Sequence, residues 1–124
     1  MGLHSGFTLP SGDKIITTDW TAVVFGVGWE DIGDPYQVTE YKKVGDLVFI
    51  RGLPTSGANN WADQAGIFNL PVGFRPVARV ICPTEVEDKV YGRVDILAGG
   101  DVQYQHGGGG SGWVCLDGIV FSID

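Results

Sequence analysis

Ile67-Phe68-Asn69-Leu70-Pro71-Val72-Gly73-Phe74-Arg75-Pro76 decides the fold class. A short apolar strand runs into Pro71, and a second, Val77 to Cys82, follows Pro76. Neither proline can donate to a ladder, so the pair brackets a rigid crossing between two strands. Gly73 permits a positive φ at the crossing. Phe74 can then anchor in a core while the Arg75 guanidinium stays solvated or paired. This is the chemistry of a corner in an all-β domain.

Working outward, the same punctuation recurs. Thr21 to Val27 reads as a strand, and Gly33-Asp34-Pro35 breaks the chain before a strand from Tyr36 to Lys43. Val44-Gly45-Asp46 turns into Leu47 to Leu53, and Ala65 to Leu70 leads into the corner. Lys89 to Leu97 and Val102 to Gln105 form a hairpin around Ala98-Gly99-Gly100-Asp101. Asp117-Gly118 is a two-residue hairpin signal joining Trp113 to Leu116 with Ile119 to Ile123. No segment carries a helical period. About nine strands predict an antiparallel β-sandwich or a jelly-roll-like barrel. Residues 1–19 show turn chemistry without a period and are expected to be an arm, a linker or an expression scar, with the domain proper at 20–124.

Composition agrees. A chain of 124 residues is one domain. Twenty glycines and six prolines are about a fifth of it, against a usual share of about 12%. The 44% hydrophobic content, with fourteen aromatics, argues against disorder. A net charge of −7 disfavours nucleic acid and anionic membranes, since phosphate neutralisation needs clustered Lys and Arg. No apolar run reaches the ~20 residues that span a bilayer. Leu47-Val48-Phe49-Ile50 and Ile119-Val120-Phe121 place apolar groups on both faces of a strand. A covered outer face, hence an oligomer, is the expectation.

Four blocks, taken in order, carry a resemblance: Tyr41-Lys42-Lys43-Val44-Gly45-Asp46-Leu47-Val48-Phe49-Ile50-Arg51-Gly52-Leu53, the opening corner, Gly92-Arg93-Val94-Asp95-Ile96-Leu97 with Gly99-Gly100-Asp101-Val102, and Gly112-Trp113-Val114-Cys115-Leu116-Asp117-Gly118-Ile119-Val120-Phe121. Together they resemble the C-terminal receptor-binding tip domains of bacteriophage tail fibres and minor tail proteins, over residues 20–124. The resemblance implies a homotrimer on the virion tail tip, assembled in the host cytoplasm and joined to other tail proteins. It also implies attachment to a host surface polysaccharide without catalysis or cofactor. A structural tail or baseplate trimerisation domain and a depolymerase fragment are the competing readings.

The chain departs from that pattern between Thr55 and Gly66 and between Gln103 and Gly112, where a ligand would be read. Trp61 follows Asn59 and Asn60 and precedes Asp63 and Gln64. An aromatic face binds the C–H patches of a sugar while amides and carboxylates read its hydroxyls. Tyr104 and His106, in Gln103-Tyr104-Gln105-His106, form a second and weaker set. Trp20, Trp29 and Trp113 lie in or beside strands and are expected in the core.

Catalytic and metal motifs are weak. Gly107, Gly109 and Gly112 match GxGxxG only literally, because no strand-to-helix turn surrounds them. Gly109-Gly110-Ser111-Gly112-Trp113 fails the nucleophile elbow at its last position. Glu85, Glu87 and Asp88 cluster in one loop, where solvation outweighs either paired-carboxylate catalysis or Ca²⁺ binding. Cys82 and Cys115 have no CxxC spacing and are expected as unpaired, buried thiols, a disulfide requiring neighbouring strands with suitably aimed Cβ atoms.

Overall fold

The computed structural model describes residues 3–12, 14–57, 61–62, 64–105 and 112–124. Among the described residues twelve strands are formed and none is helical. They are β1 (Leu3–Thr8), β2 (Lys14–Thr18), β3 (Thr21–Ala22), β4 (Glu30–Asp31), β5 (Glu40–Val44), β6 (Leu47–Arg51), β7 (Pro54–Thr55), β8 (Ala65–Asn69), β9 (Val80–Glu87), β10 (Val90–Ile96), β11 (Asp101–Gln105) and β12 (Ile119–Ser122). Nine run four residues or more, and β3, β4 and β7 have two each. The predicted β-sandwich class is the one observed.

One main sheet has the order β1-β2-β5-β6-β12, with β3 also on β5, the other has the order β8-β11-β10-β9, and β4 and β7 form a separate two-stranded sheet. All the strand pairings are antiparallel. Val44 pairs directly with Leu47, so Gly45-Asp46 is a two-residue loop, and Gly45 takes the positive φ of 57° that the loop needs. Period-two alternation then builds the core between the sheets. Val48 and Ile50 of β6, Val94 and Ile96 of β10, and Val102 and Tyr104 of β11 are all buried. Each aliphatic side chain so buried contributes about 1.5–3 kcal/mol.

Hydrogen bonds also join the two sheets along both edges. On one side Phe25 bridges to Phe68, and Gly26 N donates to Ile67 O. On the other, Val114 N and Leu116 N donate to Pro54 O and Gly52 O, while Trp113 N and Cys115 N donate to Val86 O and Glu85 O. The 113–116 segment is therefore shared between the sheets. This corrects the hairpin expected at Asp117-Gly118. Ile119 faces Ile50 while Leu116 faces Gly52, so one extra residue bulges out and the run continues along the same neighbour. Gly118, at φ 85°, absorbs the bulge.

Two further expectations shift. Residues 3–18 are a hairpin, β1 with β2, added to the sheet edge through Thr17 opposite Val44. The strand after the corner starts at Val80 and runs on to Glu87. Pro83 does not stop it, because β9 is the edge of its sheet and a missing N–H there breaks little. The corner itself behaves as its chemistry requires. Phe74 meets Tyr41 edge-on with ring centroids 5.1 Å apart, and Arg75 Nε donates to Leu70 O at 2.7 Å.

Candidate functional site

Strand directions bring several loops to one pole of the sandwich. β8 starts there, β9 and β11 end there, and the Asp88-Lys89 turn into β10 lies there. Thr55 Oγ1 donates to Gly112 O at 2.6 Å, and Ser56 Oγ donates to Gly28 O at 2.9 Å, tying three loops together.

Trp61 sits at this pole, half-buried. Its ring meets Trp29 edge-on at 5.1 Å and Tyr104 edge-on at 5.3 Å. Trp29, 5% exposed, belongs to the core as expected, and its Nε1 has no hydrogen-bond partner among the described residues. Tyr104 requires a correction. Expected as a ligand contact, it is 0% exposed, because period two turns it inward with its strand partner Val94. It supports Trp61 from beneath and offers no face of its own. Gln64 is exposed and holds φ at 64°, a left-handed conformation in which a side chain is costly. Asn59, Asn60, Asp63 and His106 lie outside the described residues.

Trp20 and Trp113, expected in the core, are half-buried and lie outside the core cluster. Trp20 is placed by cations. It lies on the outer face of the first sheet, 3.8 Å from the Arg51 guanidinium and 5.1 Å from Lys42 Nζ. Arg51 in turn holds Glu40 at 2.7 Å. Beside this cluster the outer face turns apolar, with Leu47 at 44% and Val120 at 48% exposure flanking Phe49.

Sequence reasoning does not single out Tyr91. The alternation of Tyr91, Arg93 and Asp95 against Gly92, Val94 and Ile96 is the signal that places it outward. A bulge in the β9–β10 pairing falls between Val90 and Tyr91. Beside it opens a cleft of about 220 Å³ lined by Thr84, Glu85, Lys89, Val90 and Tyr91. Next along β10, Asp95 is wholly buried under two arginines. Arg93 Nε and Nη2 grip it at 2.7 and 2.8 Å, and Arg79 Nε reaches it at 2.7 Å. The Arg93 hydrogen bond, reinforced by Arg79, holds the Asp95 carboxyl below the usual carboxylate range. Burial raises the thiol pKa of Cys82 and Cys115, which are free and half-buried. Among the described residues no three acidic, cysteine or histidine side chains converge as metal ligands. No described helix is long and apolar enough to cross a membrane.

No family model and no curated protein matches the chain. Among solved structures the chain is similar to the receptor binding protein gp15 of Listeria phage PSA. The TM-score is 0.65 at 16% identity, over 83% of this chain and 63% of that one. The chain thus spans less than two thirds of that protein's length, and the likeness is one of fold.

Proposed function

We propose that this chain is a receptor-binding domain of a bacteriophage tail, attaching the virion to a host surface polysaccharide without catalysing any reaction. The observation that carries this reading is the fold it shares with a phage receptor binding protein. The pole supports it: rigid strands present Trp61 and Gln64 on loops, which is where binding residues commonly sit. The apolar outer face around Phe49, Leu47 and Val120 supports a homotrimer on the tail axis, with the four-stranded sheet turned outward. Trimer and fibre valency multiply weak single-site contacts by about 10²–10⁴. A structural tail domain that only trimerises would use the same apolar face. Binding of the labelled, purified domain to intact cells of candidate hosts separates the two. Saturable attachment that extracted surface polysaccharide competes away is the expected result. Attachment to no host, by a folded trimer, would leave the structural reading.

A further inference from the structure

Tyr91 is the most exposed aromatic among the described side chains at 72%, ahead of Tyr36 at 55%. Three features around it are built for a ligand. The bulge opposite Val90/Tyr91, whose extra residue is Val86 on β9, adjoins the ring, and bulges of this kind frequently adjoin functional sites. The following residue must be glycine, since a Cβ at Gly92 would stand 2.3 Å from Val86 Cγ1. Beside the ring, β10 therefore packs too closely on Val86 to admit a side chain at position 92. Lys89 occupies the left-handed region at φ 62°, where glycine would be cheaper. Among the described residues Gln64 is the other non-glycine residue at positive φ, and it lies at the same pole. Strain kept by a polar side chain beside a cleft points to a use for that side chain.

The polar groups suit hydroxyls. Glu85 Oε2 accepts the Lys89 backbone N–H at 3.0 Å, which fixes the carboxylate at the cleft. Oε1 is held by no described residue. The Thr84 hydroxyl donates to Cys115 O, which leaves its oxygen able to accept. Glu85, an acceptor, and Lys89, a donor, line the cleft together with the exposed Tyr91.

We propose that this cleft is a saccharide subsite for a neutral sugar ring, with Tyr91 as the stacking platform and Glu85 and Lys89 reading hydroxyl groups. It rests on the attachment reading above only in taking a glycan as ligand. The volume of about 220 Å³ lies below the roughly 300–1,000 Å³ of sites that enclose a drug-sized ligand. One ring therefore seats here, with the rest of the glycan passing over the surface. Neutrality follows from charge. Glu85, Glu87 and Asp88 outnumber Lys89 at this turn, so an anionic sugar would meet repulsion.

The test is an NMR titration of the whole isotope-labelled chain. The probes are the methyl glycosides of glucose, galactose, rhamnose and N-acetylglucosamine, with glucuronate as the acidic counterpart of glucose. At least one neutral glycoside should shift the Tyr91 ring signals and the Thr84 and Lys89 amides at millimolar concentration. Glucuronate should bind at least tenfold more weakly than that glycoside. Tyr91→Ala, an exposed position that leaves the core intact, should abolish the shifts, and Lys89→Gly should weaken binding severalfold. Shifts from no glycoside, equal binding of glucuronate, or unchanged binding by Tyr91→Ala would each overturn the proposal. No cells enter this titration. Tyr91 shifts in a domain that attaches to no host would overturn the attachment reading alone, and attachment without Tyr91 shifts would overturn the subsite alone.

Discussion

Asp117 accepts the backbone N–H of Gly52 on its Oδ1 at 2.7 Å, joining positions 65 residues apart. The bond closes the bulge where the C-terminal run passes from the shared 113–116 segment into β12 along β6. Gly52 holds φ at 134°, and a Cβ there would stand 2.4 Å from Thr39 Cα. Thr39 is itself fixed, its N–H and hydroxyl both donating to Asp31 Oδ1 at 2.8 and 2.7 Å. Asp31, Thr39, Gly52 and Asp117 thus form one column across the edge.

Substitutions in that column should therefore act on stability. Gly52→Ala forces both a strained φ and an overlap with backbone, and overpacking of this kind costs about 1–3 kcal/mol. Asp117→Ala strands a part-buried N–H and removes a charge-assisted bond, at about 1–2 kcal/mol. Urea unfolding of the two variants checks this. An unchanged midpoint for Gly52→Ala would show that the edge is not closed as described.

Asp95 gives stability a pH dependence. The folded-state pKa lies below the ordinary carboxylate value of about 3.9. As pH falls, the unfolded chain takes up the proton first, so the contribution is complete above about pH 5 and is lost as pH falls through the folded value. Asp95→Asn lacks it. Its deficit against the parent should be largest at pH 7, about 1–3 kcal/mol, towards the lower end because both guanidiniums are half in water. The deficit should shrink below pH 4. Urea midpoints at pH 7, 5 and 3 measure it, and a deficit independent of pH would reject the ion-pair account.

How legible this was depends on which side chains set each feature. The corner and the Gly45-Asp46 hairpin could be read because proline and glycine act through their own backbone. The Asp117-Gly118 bulge could not, since the same dipeptide serves a hairpin or a bulge and the choice is made by Gly52 and Pro54, sixty residues away. Residues 3–18 lack an apolar period, yet they pair because the edge of β5 offers backbone partners. At the pole, the polar flanks of Trp61 mark it as a candidate in the sequence alone. The polar flanks Gln103 and Gln105 make Tyr104 look like a ligand contact, but period two makes those flanks the outward residues and turns Tyr104 into the core. Tyr91 is not legible as a site because its strand neighbours carry none of the polar-loop composition that singles out Trp61.

The apolar outer face of the first sheet predicts assembly. Leu47, Phe49 and Val120 lie side by side on paired strands. A stable interface would have to bury roughly 800 Å² on each partner. Sedimentation of the purified chain at micromolar concentration should give a trimer of the 13.3 kDa protomer. Val120→Lys, at an exposed edge position, should yield a folded monomer. A parent chain that sediments as a monomer would refute the assembly.

Trp61 should couple binding to stability, and the two can be separated. Its ring makes two edge-to-face contacts, each worth about 0.5–1.5 kcal/mol. Trp61→Ala will therefore lower both stability and attachment. Trp61→Phe keeps a ring on Trp29 and Tyr104 but shortens the face presented to a sugar, so it should retain most of the stability while binding weakens. Losing such an anchor outright typically costs ~2 kcal/mol or more, about thirtyfold in affinity per site. Gln64→Gly offers the opposite sign. It relieves the left-handed φ, so the fold should be as stable or slightly more so, while the side-chain amide proposed to read hydroxyls is removed. Melting temperature and binding to soluble host polysaccharide, measured on the same variants, decide the matter. Gln64→Gly and Trp61→Phe that bind like the parent would remove this loop from the receptor site.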